Sequence, residues 1–523
     1  MRLLPSVLAA ALVGSTVLLD PAGASAPAGW ERAGSATAAP GLPLGPPDLP
    51  ETRTVEELAP GVTLTTIERG TAPAGPIWTV TAGFRATRAE ADTLARKVAA
   101  TGEPARVEQV DDPLVGDVAG FVVRSGLFDT RAEAHTVAQR LTADGVPASA
   151  AATVEDGTPT TGPWVVRVLS IDPRRASVDA QLATGVVPGR ETTTDIARRT
   201  DAVAAVNGGY FVIGAGDGTP GDLAGISSID GDLVGEAADG RSALVLGPTG
   251  ASVQSLATDL RVRADDGATR EVDGIDRRPG AIRSCGGVGG DAPTEQPRHD
   301  VTCTDPSELI SYDAAWGGPA GADAEHAVAL DPGGVVTATA SRDDLPVPAG
   351  GRVLAGTGDG ADWLREHARP GTRLALAEDV VDTESGAPLV LAPQVDIVNG
   401  GPRLVRDGAV DATSAAEGFV QPANPAFRYG FAIRRNPRTL AGVKPDGTVL
   451  LVAADGRAPG RSVGLSFAES ADVLVALGAR DGLNLDGGGS TALVADGALR
   501  TDPSDDAGER PVGDALVVTG RGR

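Results

Sequence analysis

The sequence predicts a sheet-rich α+β protein with two folded parts, and three observations carry that prediction. A pattern of strand, helix and strand occurs twice between residues 77 and 155. From Trp164 to Val518, short apolar strands alternate with glycine turns and a few helices, which is typical of an α+β domain dominated by sheet. Three of those strands end in a polar residue followed by two glycines, so candidate site residues lie in loops at strand ends.

The chain begins with the features of a secretory signal. Met1 and Arg2 precede an apolar run from Leu3 to Leu19, and small residues follow at positions 24–26. This pattern predicts a signal peptide over residues 1–26, with an uncleaved anchor as the alternative. No later apolar run reaches the roughly 18 residues of a membrane helix. We therefore expect a secreted protein with no membrane span after signal cleavage.

Charge and histidine content limit the partners and cofactors. The 523 residues carry a formal net charge of −25, whereas a nucleic-acid binder needs a basic surface, so no nucleic-acid partner is expected. The four histidines show no metal-ligand spacing, which argues against a His-rich zinc site. An oxygen-ligated Ca²⁺ ion stays possible in so acidic a chain, although no EF-hand-like loop is present. No other cofactor is expected.

The only two cysteines, Cys285 and Cys303, flank a stretch rich in Gly, Asp and Pro. In an oxidising compartment the expectation is one disulfide between them, worth roughly 3 kcal/mol in the chain-entropy model. A catalytic thiol is the less favoured alternative, because His299 is the only histidine nearby.

Residues 27–76 are rich in Pro, Ala and Gly and predict a linker, although a strand near residues 62–65 is possible. A repeat follows, because the segment that starts at Trp78 recurs 43 positions later at Phe121. Each copy has a strand, then a Thr-x-x-Glu capping box at Thr87 or Thr130, then a helix with one apolar stripe and a second strand. Two such units predict a ferredoxin-like βαββαβ domain over residues 77–155.

The repeat also carries a family resemblance. Its aromatic-x-Val start, the Gly83-Phe84 turn and the helix opening Thr-Arg-Ala-Glu-Ala resemble the SPOR domain. The resemblance implies binding to peptidoglycan glycan strands and association with the cell wall. A split βαβ domain without a ligand is the alternative.

The second part holds three motifs of a polar residue and glycines. They are Asn207-Gly208-Gly209-Tyr210-Phe211, Asn399-Gly400-Gly401-Pro402-Arg403 and Asp486-Gly487-Gly488-Gly489-Ser490-Thr491. Glycines let backbone N–H groups approach an anion closely, so these loops could cradle a phosphate. For any single motif, the alternative is an ordinary hairpin turn.

The three glycine motifs occur in this order along the chain, together with the segment Asn436–Val443 and the closing Arg510-Pro511-Val512. This combination resembles the phosphodiester glycosidase family. The resemblance covers about residues 162–520 and places the domain at residues 162–523. It implies removal of a sugar from a glycosyl-1-phosphodiester. Long inserts at residues 214–221 and 277–319 put the exact sugar specificity in doubt.

The resemblance also suggests catalytic roles. Asp486 is the candidate carboxylate, as nucleophile, base or metal ligand. Arg438 and Arg403 are candidates for binding the phosphate in bidentate fashion. Asn207 and Thr439 would donate hydrogen bonds to the sugar or the phosphate. The alternatives are a structural salt bridge for each arginine and a turn cap for Asn207.

The remaining candidates form the substrate-binding surface. Tyr210 or Phe211 would stack on the sugar ring, with core packing as the alternative. The loop residues expected to bind substrate are Gly208, Gly209, Asn399, Gly400, Gly487, Gly488, Gly489, Ser490 and Thr491. If the loops form one site, Asn207, Asn399, Arg438 and Asp486 should meet at a common cleft.

These observations lead to one functional hypothesis and one alternative. The hypothesis is a secreted, wall-associated hydrolase of sugar-1-phosphodiesters in cell-wall or extracellular polysaccharide. The alternative is a non-catalytic protein that binds or assembles such glycans. Since the repeat ends at a short polar linker, residues 158–163, the two domains are expected to keep separate cores. Deletion of residues 77–155 should then remove wall binding and spare hydrolysis.

Overall fold

A computed structural model describes residues 41–114, 116–285, 301–412, 414–419, 421 and 424–520. The predicted signal peptide, residues 1–26, lies outside the described residues, as does the start of the predicted linker. Within the described chain from Gly41 onward, the contacts form one compact unit.

The N-terminal elements are six strands, two helices and one 3₁₀ turn. They are β1 (Glu51–Ala59), β2 (Val62–Arg69), β3 (Trp78–Arg85), α1 (Arg88–Ala100), β4 (Arg106–Asp111), β5 (Val118–Phe128), α2 (Arg131–Ala143), β6 (Ser149–Ala152) and the 3₁₀ turn Thr153–Glu155.

The larger part of the chain is mostly strand. Its strands and helices are β7 (Trp164–Ile171), β8 (Ala176–Leu182), α3 (Thr193–Arg199), β9 (Ala204–Asn207), β10 (Ser227–Ile229), β11 (Asp232–Gly235), β12 (Arg241–Gly247), β13 (Gly250–Ala264), β14 (Thr269–Glu271), β15 (Gly274–Ile275), β16 (Ile282–Arg283), β17 (Thr302–Cys303), β18 (Leu309–Tyr312), β19 (His326–Leu330), β20 (Val336–Ala340), β21 (Arg352–Gly356), α4 (Gly358–His367), β22 (Leu374–Asp382), β23 (Pro388–Leu389), β24 (Asp396–Asn399), β25 (Arg403–Arg406), β26 (Ala409–Val410), α5 (Ala426–Arg428), β27 (Arg438–Val443), β28 (Val449–Ala454), α6 (Phe467–Ala476), β29 (Asp481–Asn484), β30 (Leu493–Ala495), β31 (Ala498–Leu499) and β32 (Asp514–Gly520). Its short turns are 3₁₀ at Ala183–Gly185, Ala314–Trp316 and Gly488–Ser490, and π at Tyr429–Ile433.

The predicted ferredoxin-like domain is confirmed. Strands β3 to β6 form an antiparallel sheet in the order β4-β5-β3-β6. Both capping boxes are present, with Thr87 and Thr130 accepting the backbone N–H of Glu90 and Glu133. The apolar stripes of α1 and α2 bury against one face of this sheet, as the repeat predicted.

The linker prediction is wrong for residues 51–69. Strands β1 and β2 form a hairpin, and β2 pairs along its whole length with β7, from Val62 beside Ile171 to Arg69 beside Trp164. The apolar residues Val62, Leu64 and Ile67 of β2 are buried. This hairpin therefore extends a sheet of the larger part.

Three antiparallel sheets surround the main core. Their orders are β1-β2-β7-β28-β27-β29-β25-β26, then β11-β10-β24-β12-β13-β22-β23, and β31-β30-β9-β32-β8. Apolar side chains from all three, such as Leu451, Leu244 and Leu516, share one buried cluster. The motif strands β9, β24 and β29 belong to three different sheets, so the packing of the sheets brings the three motifs together.

The two folded parts do not have fully separate cores. The repeat domain has its own core between its sheet and helices. The other face of that sheet, however, packs on the π turn, where the rings of Phe84 and Tyr429 stack with centroids 5.0 Å apart. Ala152 and Val154 join the core of the larger part. The expectation of separate cores therefore does not hold.

A buried polar network ties the same interface. The Arg124 guanidinium lies 2.6 Å from the Asp156 carboxylate and donates to the Tyr429 hydroxyl at 2.9 Å, and that hydroxyl donates to Asp156 at 3.0 Å. Arg435 donates to the backbone oxygens of Val154 and Thr158 at 2.7 and 2.9 Å. The predicted linker at residues 158–163 is thus fixed against the larger part.

The predicted disulfide is confirmed: Cys285 and Cys303 are bonded, with Cα atoms 5.8 Å apart.

Among the helices that the structure describes, none combines the length and apolar character of a membrane-spanning segment.

Candidate active site

The second motif loop is bound to the first by reciprocal hydrogen bonds. The Tyr210 N–H donates to Asn399 Oδ1 at 2.8 Å, and Asn399 Nδ2 donates to Tyr210 O at 3.2 Å. The Tyr210 hydroxyl donates to Gly401 O at 2.7 Å. At Gly209 a Cβ would overlap the Asn399 amide, so glycine is what allows the two loops to approach this closely.

The first loop is also bound to the third, through Asn207. Its Nδ2 donates to Asp486 O at 2.9 Å, while its Oδ1 accepts the Thr439 hydroxyl at 2.6 Å and the Ala492 N–H at 3.1 Å. Asn207 is fully buried. With its amide engaged inside the protein, Asn207 positions the Asp486 backbone, and Thr439 holds Asn207. The expected direct hydrogen bonds from Asn207 and Thr439 to substrate are not supported by this geometry.

An open cavity of about 370 Å³ lies over the third loop. Its lining combines the carboxylate of Asp486, the loop glycines and arginines with two aromatic rings. The lining residues are Asn424, Ala426, Phe427, Gly430, Phe431, Asn436, Arg438, Arg457, Asp486, Gly487, Gly488, Gly489 and Arg510. Of the four residues predicted to meet at one cleft, Arg438 and Asp486 line this cavity, whereas Asn207 and Asn399 do not.

Asp486 is the carboxylate at the base of this cavity. Its Oδ1 accepts the N–H of Gly487 at 2.8 Å. Burial raises the pKa of the Asp486 carboxyl to about 6, against the opposing effects of the Ser490 and Gly487 hydrogen bonds and of Arg510 and Arg438. A carboxyl with such a pKa changes charge near neutral pH, which is typical of functional sites.

Arg438 is buried beside Asp486. Its Nε donates to Leu465 O at 3.0 Å, its Nη2 donates to Phe431 O, and its guanidinium lies 4.3 Å from the centre of the Phe467 ring. No carboxylate lies within ion-pair distance of Arg438 in the part of the chain that the structure describes. Burial lowers the pKa of its guanidinium to about 10. A buried cation bonded only to carbonyl oxygens favours an anionic ligand.

Two arginines that we did not select from the sequence also line the cavity. Arg510 is held by Asp505 at 2.7 Å and reaches Ser490 Oγ at 3.4 Å, and Arg457 donates to Asn436 Oδ1 at 3.1 Å. At Gly489 any side chain would overlap the Arg510 guanidinium. Glycine at position 489 is therefore needed for Arg510 to lie over the loop. Arg510 belongs to a motif noted above, whereas nothing in the local sequence marked Arg457.

Backbone amides contribute less to an anion site than the sequence suggested. The N–H groups of Gly487 and Gly488 donate to Asp486 Oδ1 and Pro437 O, and those of Ser490 and Thr491 donate to Gly487 O and Gly488 O. Since these amides have partners within the protein, the amide cradle expected from the glycine motif is wrong for them. Arginine side chains supply the positive charge instead.

The aromatic wall also differs from the prediction. Phe427 and Phe431 line the cavity, with stacked rings 5.2 Å apart at 14°. They lie on α5 and the π turn, and π turns are frequent at functional sites. Tyr210 packs behind them, with its ring 6.3 Å from that of Phe431, and Phe211 is buried in another cluster. The rings available to a sugar are therefore those of Phe427 and Phe431.

The remaining predicted residues lie away from the cavity. Arg403 donates to Val253 O at 3.2 Å and lies 3.6 Å from Glu384, so the predicted phosphate contact by Arg403 is not supported. Gly208 and Gly400 pack beneath the loops, against Asp514 and Asn484. Their role is to allow the loops to pack.

Two further observations concern charge and metals. Burial raises the pKa of the Asp514 carboxyl to about 7, and its Oδ1 accepts the Gly209 N–H at 2.9 Å. Within the described ranges, no group of three or more His, Cys, Asp or Glu side chains is arranged to hold a metal ion. No residue is therefore assigned to the Ca²⁺ ion considered above.

Comparison with known proteins agrees with both resemblances. The phosphodiester glycosidase family matches residues 324–519, which contain Arg438, Asp486 and Arg510, and the SPOR domain matches residues 74–151. Two curated relatives are named N-acetylglucosamine-1-phosphodiester alpha-N-acetylglucosaminidase. The one from Bos taurus is 30% identical over 164 residues, 30% of this chain and 29% of the relative. The one from Homo sapiens is 32% identical over 130 residues, 24% of this chain and 23% of the relative. The matches thus span under a third of these relatives.

Two solved structures resemble the whole described fold. A candidate exported protein from Burkholderia pseudomallei is 36% identical, with a TM-score of 0.84 over 92% of this chain and 99% of that chain. A hypothetical protein from Synechocystis is 19% identical, with a TM-score of 0.54 over 90% of this chain and 76% of that one, and shows the fold alone. The family matches show that this chain carries a phosphodiester glycosidase domain, which contains the cavity, and a SPOR domain.

Proposed function

We propose that the protein hydrolyses glycosyl-1-phosphodiesters in cell-wall or extracellular polysaccharide. The sugar binds against Phe427 and Phe431, the phosphate binds Arg438, Arg457 and Arg510, and the Asp486 carboxylate faces the anomeric carbon. The names of the curated relatives support the reaction class, and the SPOR domain supports peptidoglycan as the surrounding material. The exported relative and the SPOR domain support a location outside the cytoplasm.

The observation that carries this proposal is the buried Arg438 beside Asp486. A guanidinium bonded to carbonyl oxygens, opening on a cavity with two more arginines, matches the phosphodiester monoanion and the phosphomonoester dianion that leaves. A carboxylate close to those arginines would repel a phosphate that bound alone. It is suited to a substrate in which a positive charge develops next to the phosphate, as in glycosyl transfer.

The proposed reaction breaks the bond between the anomeric carbon and the phosphate oxygen. The bonding electrons leave with the oxygen, and the phosphomonoester is stabilised by the arginines, so little protonation of the leaving group is needed. Ionised Asp486 stabilises the oxocarbenium-like carbon. Water then adds to that carbon and releases a proton, which yields the free sugar.

Hydrolysis in ¹⁸O-labelled water tests the reaction class. The purified protein is incubated with N-acetylglucosamine-1-phosphomethyl ester and with the glucose and galactose analogues, and the products are analysed by mass spectrometry. We expect the label in the sugar. Label in the phosphate would mean that the P–O bond is cleaved. Binding of the panel without turnover would favour the glycan-binding alternative.

The pH dependence provides a further prediction. Because the ionised form of Asp486 is required and the pKa of its carboxyl is about 6, kcat/KM should rise with pH through about 6 and then level off. Measurement of kcat/KM between about pH 4.5 and 8.5 tests this expectation. The Asp514→Asn variant should keep the rise, since an amide oxygen can still accept the Gly209 N–H. A fall in kcat/KM above pH 6 would instead indicate that protonated Asp486 acts as an acid.

A further inference from the structure

A second cavity, of about 510 Å³, lies where the repeat domain meets the larger part. The repeat domain contributes Trp78, Arg131 and the edge strand β6, residues 150–152. The larger part contributes Arg434 and the loop at residues 504–507. Neither part forms this cavity alone.

The two cavities are adjoining. Asn436 and Arg457 line both of them, and Arg457 Nη2 donates to Asn436 Oδ1 at 3.1 Å. Arg457 also donates to Ser504 Oγ at 3.5 Å, in the wall of the second cavity. A ligand whose phosphate lies against Arg457 in the first cavity can therefore continue directly into the second.

The charges of the second cavity are largely balanced. Arg434 lies 3.0 Å from Glu155, and Arg435 lies 2.7 Å from Glu469. Asp505 is paired with Arg510. A densely anionic or strongly cationic ligand would gain little net attraction from such paired groups.

The remaining surface suits a saccharide. The half-buried Trp78 and the short side chains of β6 line this cavity together with the polar residues 504–506. An aromatic face with a few polar partners offers both apolar contact and hydrogen bonds. A lipid chain would require a more apolar lining.

We propose that the second cavity binds the saccharide on the far side of the phosphate, the part of the substrate that leaves as a phosphomonoester. This inference rests on the proposed function and extends it. The repeat domain is then part of the substrate site, and it makes the enzyme prefer a glycan-linked phosphodiester over a simple alkyl one.

The test compares two substrates that differ only in the leaving group. One is the sugar-1-phosphomethyl ester, and the other carries a disaccharide in place of the methyl group. The Ala507→Trp variant fills the second cavity from an exposed position. Ala99→Trp, on the exposed side of α1, adds the same side chain elsewhere. Arg131→Ala is a second variant that opens the cavity instead of filling it.

We expect Ala507→Trp to lower kcat/KM for the disaccharide substrate by about tenfold or more and to change that for the methyl substrate less than about threefold. Ala99→Trp should leave both kcat/KM values unchanged. Arg131→Ala should change kcat/KM for the disaccharide substrate only. Equal losses on both substrates, or no loss on either, would overturn the inference while the hydrolase function stands. If the wild-type protein cleaves neither substrate, the proposed function fails and this inference fails with it.

Discussion

Replacement of Asp486 by Asn is expected to lower kcat on the methyl substrate by about 100-fold or more, as when a group that stabilises transition-state charge is lost. The side chains have nearly the same shape, and Asn Oδ1 can still accept the Gly487 N–H. The loop should therefore keep its structure, and the variant should keep its affinity for peptidoglycan sacculi. Steady-state kinetics, thermal unfolding and a sedimentation assay with purified sacculi measure the three effects.

Asp496→Asn is the matched control. Asp496 lies nearby in sequence, in a left-handed turn with φ of 50° that Asn also tolerates, and its side chain is 59% exposed. This variant should retain full activity. If Asp486→Asn retained wild-type kcat with an unchanged melting temperature, Asp486 would not be the catalytic carboxylate.

Deletion of residues 77–155 is expected to prevent folding of the whole chain, and so to abolish hydrolysis as well as wall binding. The deletion uncovers Tyr429 and removes the Val154 carbonyl that Arg435 binds. Soluble yield, circular dichroism and activity on the methyl substrate measure the outcome. If the truncated protein folds and cleaves this substrate within a few fold of wild type, the two domains are independent, as the sequence predicted.

A single substitution tests the same interface more finely. Arg124→Met leaves the buried Asp156 carboxylate with only the more distant Arg434, 3.5 Å away, which should lower the free energy of unfolding by about 3 kcal/mol. Arg88→Met is the control in the same domain, because its ion pair with Asp92 is largely exposed and should cost no more than about 1 kcal/mol. Urea unfolding measures both values. Equal, small losses would show that the Arg124 network contributes little to the interface.

The local features of the fold were predictable because they depend on neighbours in sequence. The capping boxes at Thr87 and Thr130 were each recognised from two residues three positions apart, and the structure forms both. The helix stripes followed from the 3.6-residue period. Of the hairpin at residues 51–69, the sequence indicated only a strand near residues 62–65, because the hairpin is stabilised by pairing with β7, about 100 residues later.

The sequence by itself indicated the two families, the duplicated βαβ unit, the disulfide, and Asp486 and Arg438 as candidate site residues, since short motifs with fixed spacing carry those properties. Tertiary structure alone decided the roles of the other residues. In the folded protein, Arg403 donates to the Val253 carbonyl and Asn207 donates to the Asp486 carbonyl, while Arg457 lies over the glycine loop. The physical reason is that the deciding partners lie far away in sequence, 150 positions for Arg403 and 279 for Asn207, and no local pattern records which way a side chain points.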